Sequence, residues 1–163
     1  MLVEKQRPDP QKSLVGFRVG DVSYAVPIGV VREIINPVPL TILPHPPAAV
    51  SGVADHRGEV VPIIDLRSRF GLERTRDTRR EKWILIGVEG RTVGIVVDQV
   101  TDVFGTGGTE LRPPPELGDG DQQRGLAGVT THDGALVFVL DVECFRDLTS
   151  PLDQALRERE GTA

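Results

Sequence analysis

Three histidines, one cysteine and a few placed carboxylates are the residues of this chain whose chemistry could build a catalyst or a metal site. His45, His56 and His132 stand far apart, and none has a second ligand at the short spacing that metal sites use, so the sequence predicts no metal. Cys144 with His132 would make a nucleophile and its base, but Cys144 lies in the apolar run 142–145 beyond a strand, which predicts a buried structural thiol. Asp65 and Asp141 each close an apolar strand. Two carboxylates converging on one substrate could serve as acid and base, whereas one at the same place in each of two like segments predicts a pair of cap or turn acceptors. Gly105-Thr106-Gly107-Gly108 neither leads from a strand into a helix nor carries the lysine of a phosphate-cradling loop. The chain offers no catalytic residue and no cofactor site.

The elements that must position these residues come from a chain written twice. Residues 15–34 return as 84–103, an offset of 69 from Val15 to Ile84, and residues 52–65 return as 128–141, an offset of 76 from Gly52 to Gly128. Such self-similarity fixes the folding unit and sorts positions used in both copies from positions used in one. In the first copy Val15, Phe17 and Val19 alternate up to Gly20-Asp21, and Val22, Tyr24 and Val26 alternate after it. The second copy places Ile84, Ile86 and Val88 before Glu89-Gly90, then Val93, Ile95 and Val97. Alternation on both sides of a two-residue turn predicts a hairpin in each copy. Apolar residues then fall three apart, at Ile28, Val31 and Ile34 and at Val97, Val100 and Val103, a spacing that suits one helical turn or a bulged strand. A second hairpin follows in each copy, turning at 55–58 and at 131–134.

Each copy thus supplies about five short strands, too few to cover an open sheet, and closing them into a small barrel removes the exposed edges. The expected fold is all-β: two SH3-like five-stranded β-barrel subdomains with a short C-terminal helix. The expected boundaries are a polar tail over 1–13, a body over 14–146 with its first barrel at about 15–70 and its second at about 84–146, and a helix and tail over 147–163. Residues 105–123, rich in Gly and Pro, account for the change of offset and read as a surface loop. Asp65 caps a helix of two turns at most. Ser150-Pro151-Leu152-Asp153 opens another, whose apolar face at Leu152, Ala155 and Leu156 must dock on a barrel or on a partner.

At 163 residues there is no room for a further enzymatic domain beside two barrels. The first thirteen residues carry no apolar run for a signal peptide, and no stretch approaches membrane-spanning length, so a cytoplasmic protein with no direct membrane insertion is expected. The single cysteine agrees with a reducing compartment. A net charge of -5 argues against nucleic acid as a partner. The basic run Arg67, Arg69, Arg74, Arg76, Arg79, Arg80 and Lys82 is interrupted by acids and reads as a solvated link.

Differences between the copies point further than their likenesses. His56 matches His132, which predicts a turn-packing role for both, but Arg57 at the tip of the first-copy turn matches Asp133, so the same backbone presents opposite charge. An exposed Arg suits a partner's carboxylate or carbonyls, or stands as a solvated turn cation. The stripe Ile28, Val31 and Ile34 reads as core or as a partner-facing surface.

The run from Val50 to Arg67, with Gly52-Val53-Ala54-Asp55-His56-Arg57-Gly58-Glu59-Val60-Val61-Pro62-Ile63-Ile64-Asp65-Leu66 at its centre, resembles the G-V-x-N-L-R-G-x-V-x-P-V-x-D-L signature of CheW-type chemotaxis coupling proteins. The resemblance continues in order through 17–33, 83–100 and 125–143, and spans almost everything between 14 and 145. It implies two SH3-like barrels and a non-catalytic adaptor, cytoplasmic and associated with membrane-bound receptor arrays through its partners. Those partners would be the cytoplasmic tip of a methyl-accepting chemoreceptor and the CheA-like regulatory domain of a chemotaxis histidine kinase. The resemblance further implies a receptor-binding groove between the barrels, taking Val15, Ile28, Val31 and Ile34 from the first copy and Val97 and Val100 from the second. Glu33 and Arg57 would be its polar companions, orienting a partner whose affinity comes from buried apolar area. Where the signature has Asn-Leu before the Arg, this chain has Asp55-His56.

Two other readings stand beside this one. A coupling protein of a related chemosensory system, controlling motility or development, would share the fold and contacts. A double-barrel enzyme or small-ligand binder would instead need convergent polar groups in a deep pocket between the barrels, for which the copy-specific residues offer only Arg57, Glu33 and Asp55.

Overall fold

The computed structural model describes the backbone of residues 13–46, 49–70, 79–105, 111–113 and 125–146, and the side chains of all of these except 69 and 70. Its elements run β1 (Ser13–Val19), β2 (Val22–Pro27), a 3-10 turn (Ile28–Val30), β3 (Val31–Ile35), β4 (Val50–His56), β5 (Glu59–Asp65), α1 (Leu66–Phe70), β6 (Lys82–Val88), β7 (Arg91–Val97), β8 (Gln99–Gly105), β9 (Leu126–His132), β10 (Ala135–Leu140) and a closing 3-10 turn (Val142–Phe145). The expected C-terminal helix from Ser150 lies outside the described residues, as do 1–12 of the tail and 106–110 and 114–123 of the expected loop.

All four predicted hairpins form. In β4–β5 the turn residues Arg57 and Gly58 have φ of 53 and 80, and in β9–β10 Asp133 and Gly134 have 51 and 78. Two successive positive φ angles give the turn twist that matches right-handed strands, and glycine takes the second position at no steric cost. The three-spaced stripe resolves as both of its alternatives at once. Ile28 starts a single 3-10 turn, and Val31 and Glu33 flank a bulge where β3 pairs with β6.

Sheet membership departs from the expected boundaries. One sheet has the order β8-β1-β2-β10-β9 and the other β3-β6-β7-β5-β4. Neither sheet is therefore made by 15–70 or by 84–146 alone. Each joins the first hairpin of one copy to three strands of the other, through parallel pairing of β2 with β10 and of β5 with β7. The physical reason is that the two copies present equivalent hairpins, so either three-strand unit can accept either hairpin, as in an exchange of identical elements between subunits. The link from β2 to β3 spans only Ile28–Val30 and carries the chain from one sheet to the other, while Asp98 carries it back between β7 and β8.

Each sheet closes on itself. Thr41, beyond β3, exchanges N–H···O bonds of 2.8 and 2.9 Å with Val53 on the outer strand β4, and Arg112, beyond β8, does the same with Val129 on β9 at 3.0 and 2.9 Å. These bridges cover edges that would otherwise invite pairing with another chain. Inside one barrel lie Leu14, Ala25, Phe104, Val137 and Val139, and inside the other Ala54, Val61, Ile63, Trp83 and Leu85. A third and larger cluster, including Val15, Phe17, Tyr24, Ile84, Ile86, Ile95 and Val97, packs the barrels on one another. Central strands such as β6 are thus apolar on both faces: Trp83 and Leu85 fill a barrel, and Ile84 and Ile86 face the other barrel.

Candidate functional site

The two crossovers between sheets bring the resemblance-derived residues to one region, but not all to the surface. Val15 is 2% exposed and Val97 is fully buried, both within the cluster between the barrels. These two side chains are inter-barrel core and have no area left to offer a groove, a correction that follows from the central strands being covered on both faces. Ile28, Val31 and Val100 are partly buried and pack on the rim of that same cluster. Ile34 is 41% exposed. Its counterpart Val103 is also exposed, as are the matched pair Val60 and Leu136. Exposed apolar side chains thus recur at equivalent places on both barrels.

Beside this rim, Glu33 on β3 holds two partners from the β4–β5 turn. His56 Nε2 lies 2.9 Å from Glu33 Oε2, and Arg57 Nη2 donates to Glu33 Oε1 at 3.0 Å. Because β3 and β4 are the two outer strands of their sheet, this cluster spans the seam where the barrel closes. Asp55 accepts the Gly58 N–H at 3.1 Å and shapes the turn, so the Asp55-His56 departure has a local use: one residue holds the turn and the other engages Glu33. The Arg57 side chain remains 76% exposed while bonded, a guanidinium already oriented at the surface.

The second barrel has the same seam with inverted charge. His132 Nε2 lies 2.8 Å from Asp102 Oδ2 and 3.4 Å from Asp133 Oδ2, and its ring stacks on Phe104 at 3.8 Å between centroids. Asp102 matches Glu33 across the repeat, so the imidazole–carboxylate pair is shared architecture that ties outer strand to outer strand. The three groups lie within 4.8 Å of one another, a proximity that sequence spacing did not reveal because the carboxylate of Asp102 comes from a distant strand. Asp102 and Asp133 are exposed, and the matched pair in the first barrel explains the His132–Asp102 contact without an ion.

Asp65 and Asp141 behave as the cap acceptors expected. Asp65 Oδ1 accepts the Arg67 N–H at 2.9 Å, and Asp141 Oδ1 accepts the Glu143 N–H at 3.0 Å. Arg67 itself was missed. Its side chain is 9% exposed rather than solvated, and its Nε donates to Asp98 Oδ1 at 2.9 Å while Nη2 bonds Asp98 Oδ2. Asp98 Oδ2 also accepts the Gly20 N–H at 2.6 Å. Near this cluster, burial pushes the Glu81 carboxyl up from its ordinary value, Asp65 and Asp98 add to the rise, and Trp83 and Arg67 oppose it. The Trp83 indole N–H, buried, makes no well-formed hydrogen bond.

Comparison with known proteins bears on what such a rim does. The family model described as the CheW-like domain matches residues 13–147. A chemotaxis protein CheW of Rhizobium meliloti is 34% identical over 132 residues, covering 81% of this chain and 85% of its own length. Protein FrzA of Myxococcus xanthus is 35% identical, over 77% of this chain and 78% of its own. The crystal structure of the scaffolding protein TtCheW from Thermoanaerobacter tengcongensis superposes with a TM-score of 0.73 at 25% identity, covering 86% of this chain and 90% of that one.

Proposed function

The chain belongs to the CheW-like family of chemotaxis scaffolds, and we propose that it performs no chemistry but holds a chemoreceptor's cytoplasmic tip and the regulatory domain of a histidine kinase in register. The observation that carries this reading is the partly exposed apolar rim of Ile28, Val31, Ile34 and Val100, set at the two crossovers over a solid inter-barrel core. Affinity comes from covering that rim, and orientation comes from the Glu33–Arg57 pair, pre-formed beside it. The kinase's regulatory domain, itself of two-barrel form by the family resemblance, docks barrel to barrel, and the exposed Val103 and Leu136 supply apolar area for such a contact on the second barrel. Signalling through such an adaptor requires each partner to bind its states differentially.

The titratable clusters favour an adaptor over an enzyme. Glu33–His56–Arg57 and Asp102–His132–Asp133 each sit at the seam of a separate barrel, where each ties that barrel's own outer strands together. No helix among the described residues is long and apolar enough to cross a membrane, in keeping with a protein that reaches receptor arrays in the cytoplasm through its partners. Likeness to FrzA, at an identity close to that with the chemotaxis proteins, supports a coupling protein of a related chemosensory system equally well at the level of fold. Affinity capture on the tagged full chain from its own host's lysate, with identification of the bound proteins, tests the proposal. Recovery of a histidine kinase and a chemoreceptor is expected, and their identity separates the two systems. Recovery of neither by folded protein refutes the adaptor reading.

A further inference from the structure

The Arg67–Asp98 pair joins the end of a strand in one barrel to the crossover and, through Asp98, to a hairpin turn of the other. Arg67 sits in the first turn of α1, directly after β5 of one barrel, and Asp98 is the single residue between β7 of that barrel and β8 of the other. Besides the two-bond fork to Arg67, Asp98 donates its own N–H to Arg18 O at 2.9 Å and accepts the Gly20 N–H at 2.6 Å, so both ends of it grip the β1–β2 turn of the second sheet. One ion pair thereby ties the end of β5, the crossover and a hairpin tip together. A planar fork on a carboxylate fixes direction as well as distance.

The repeat shows that the bond to the crossover is not duplicated, although an exposed pair, Arg146 Nη1 to Glu89 Oε1 at 2.9 Å, joins the end of the other barrel to the β6–β7 turn. Counting across the copies, Arg67 matches Glu143 and Asp98 matches Gly29. The other crossover, Ile28–Val30, therefore has no side chain that could form the equivalent bond, and its Ile28, Val30 and Val31 are held by packing on the shared core. A side chain that appears in only one of two like positions is the kind of residue that architecture alone does not require.

We propose that Arg67 and Asp98 are a positioning pair: they lock one crossover, help set the angle between the barrels, and so hold Val100 in place. The binding consequence rests on the groove reading given above; the orientation consequence does not. Neither residue touches the partner in this scheme. Taking away one member of a largely buried pair leaves the other charged and unpaired, so Asp98→Asn and Arg67→Met each release the tie.

The test uses the isotopically labelled full chain, measuring residual dipolar couplings of both sheets, amide exchange at Gly20, and binding of a soluble fragment carrying a chemoreceptor cytoplasmic tip. In the native chain one alignment describes both sheets. In Arg67→Met and Asp98→Asn each sheet is expected to keep its own couplings while the joint fit fails, Gly20 exchange rises, and binding of the fragment weakens about tenfold, the size of an ordinary coupling between sites. The double variant is expected to lose little more than either single one. If Arg67→Met does not fold, Arg67→Lys, which keeps the charge and loses the fork, must show the same changes at smaller size. Folded variants with one joint alignment and native Gly20 exchange overturn the proposal. A native chain that fails to bind the fragment counts against the groove alone, since orientation and exchange still decide the tie.

Discussion

Two substitutions that look alike in the sequence should separate core from contact. Ile34 and Val97 both belong to the three-spaced apolar stripes, yet Ile34 is 41% exposed and Val97 is fully buried between the barrels. Full burial of an aliphatic side chain stabilises by about 1.5–3 kcal/mol, so covering the exposed two-fifths of Ile34 with a partner contributes about 1 kcal/mol, or about fivefold in Kd. Ile34→Ala should therefore weaken binding of a receptor-tip fragment about fivefold. Val97→Ala instead empties space in a closed cluster, where loss of two methyl groups costs about 2 kcal/mol of stability through transfer and cavity effects together. Its binding by the folded fraction should stay native. Titration calorimetry with the fragment and urea unfolding of both variants read the two quantities separately. Native binding by Ile34→Ala, or a selective loss of binding by Val97→Ala at unchanged stability, would refute the assignment of rim and core.

Other expectations rest on single contacts. Asp65→Ala and Asp141→Ala each remove a cap acceptor, and each should lower unfolding stability by about 1 kcal/mol in urea titration, with nearly additive effects because the two carboxylates share no hydrogen-bond partner. Gly94→Ala would place a methyl 2.6 Å from Ile63 Cδ1 and 3.2 Å from Leu85 Cδ2 inside the first barrel; overpacking of this sort should cost about 1–3 kcal/mol, read as a lowered Tm. Burial raises the Glu81 carboxyl above its unfolded value, so the folded state holds that proton more tightly. Its favourable contribution is full below the ordinary carboxylate range and is lost as pH rises through the raised folded value. Glu81→Gln should therefore flatten that part of a plot of urea midpoint against pH.

Most of the local structure was legible because its signals are local. Alternation around Gly20-Asp21 and Glu89-Gly90 marks hairpins β1–β2 and β6–β7, and the matched places of Asp65 and Asp141 at strand ends mark the caps, whose bonds measure 2.9 and 3.0 Å. What stayed hidden depends on long-range pairing. Equivalent hairpins carry the same pattern, so nothing local said that β1–β2 would join β8, β9 and β10 rather than β3, β4 and β5. The family resemblance assigns Val15 and Val97 to the groove, and their own pattern does not correct it, because a strand buried on both faces has no polar face to mark its inside. Arg67 was lost within a basic run, its partner lying 31 residues away. A signal for it existed: Glu143 and Gly29 stand at the matching places, the same kind of difference that singled out Arg57 against Asp133.

A bridge, unlike a catalyst, must hold both of its partners at once, and reconstitution measures that property. Purified chain, a receptor-tip fragment and the regulatory domain of the histidine kinase recovered with it are mixed and sedimented, pairwise and together. One complex containing all three is expected, with receptor fragment and kinase domain co-sedimenting far better when the chain is present than without it. Mutually exclusive binding, in which kinase domain displaces receptor fragment from the chain, would contradict it.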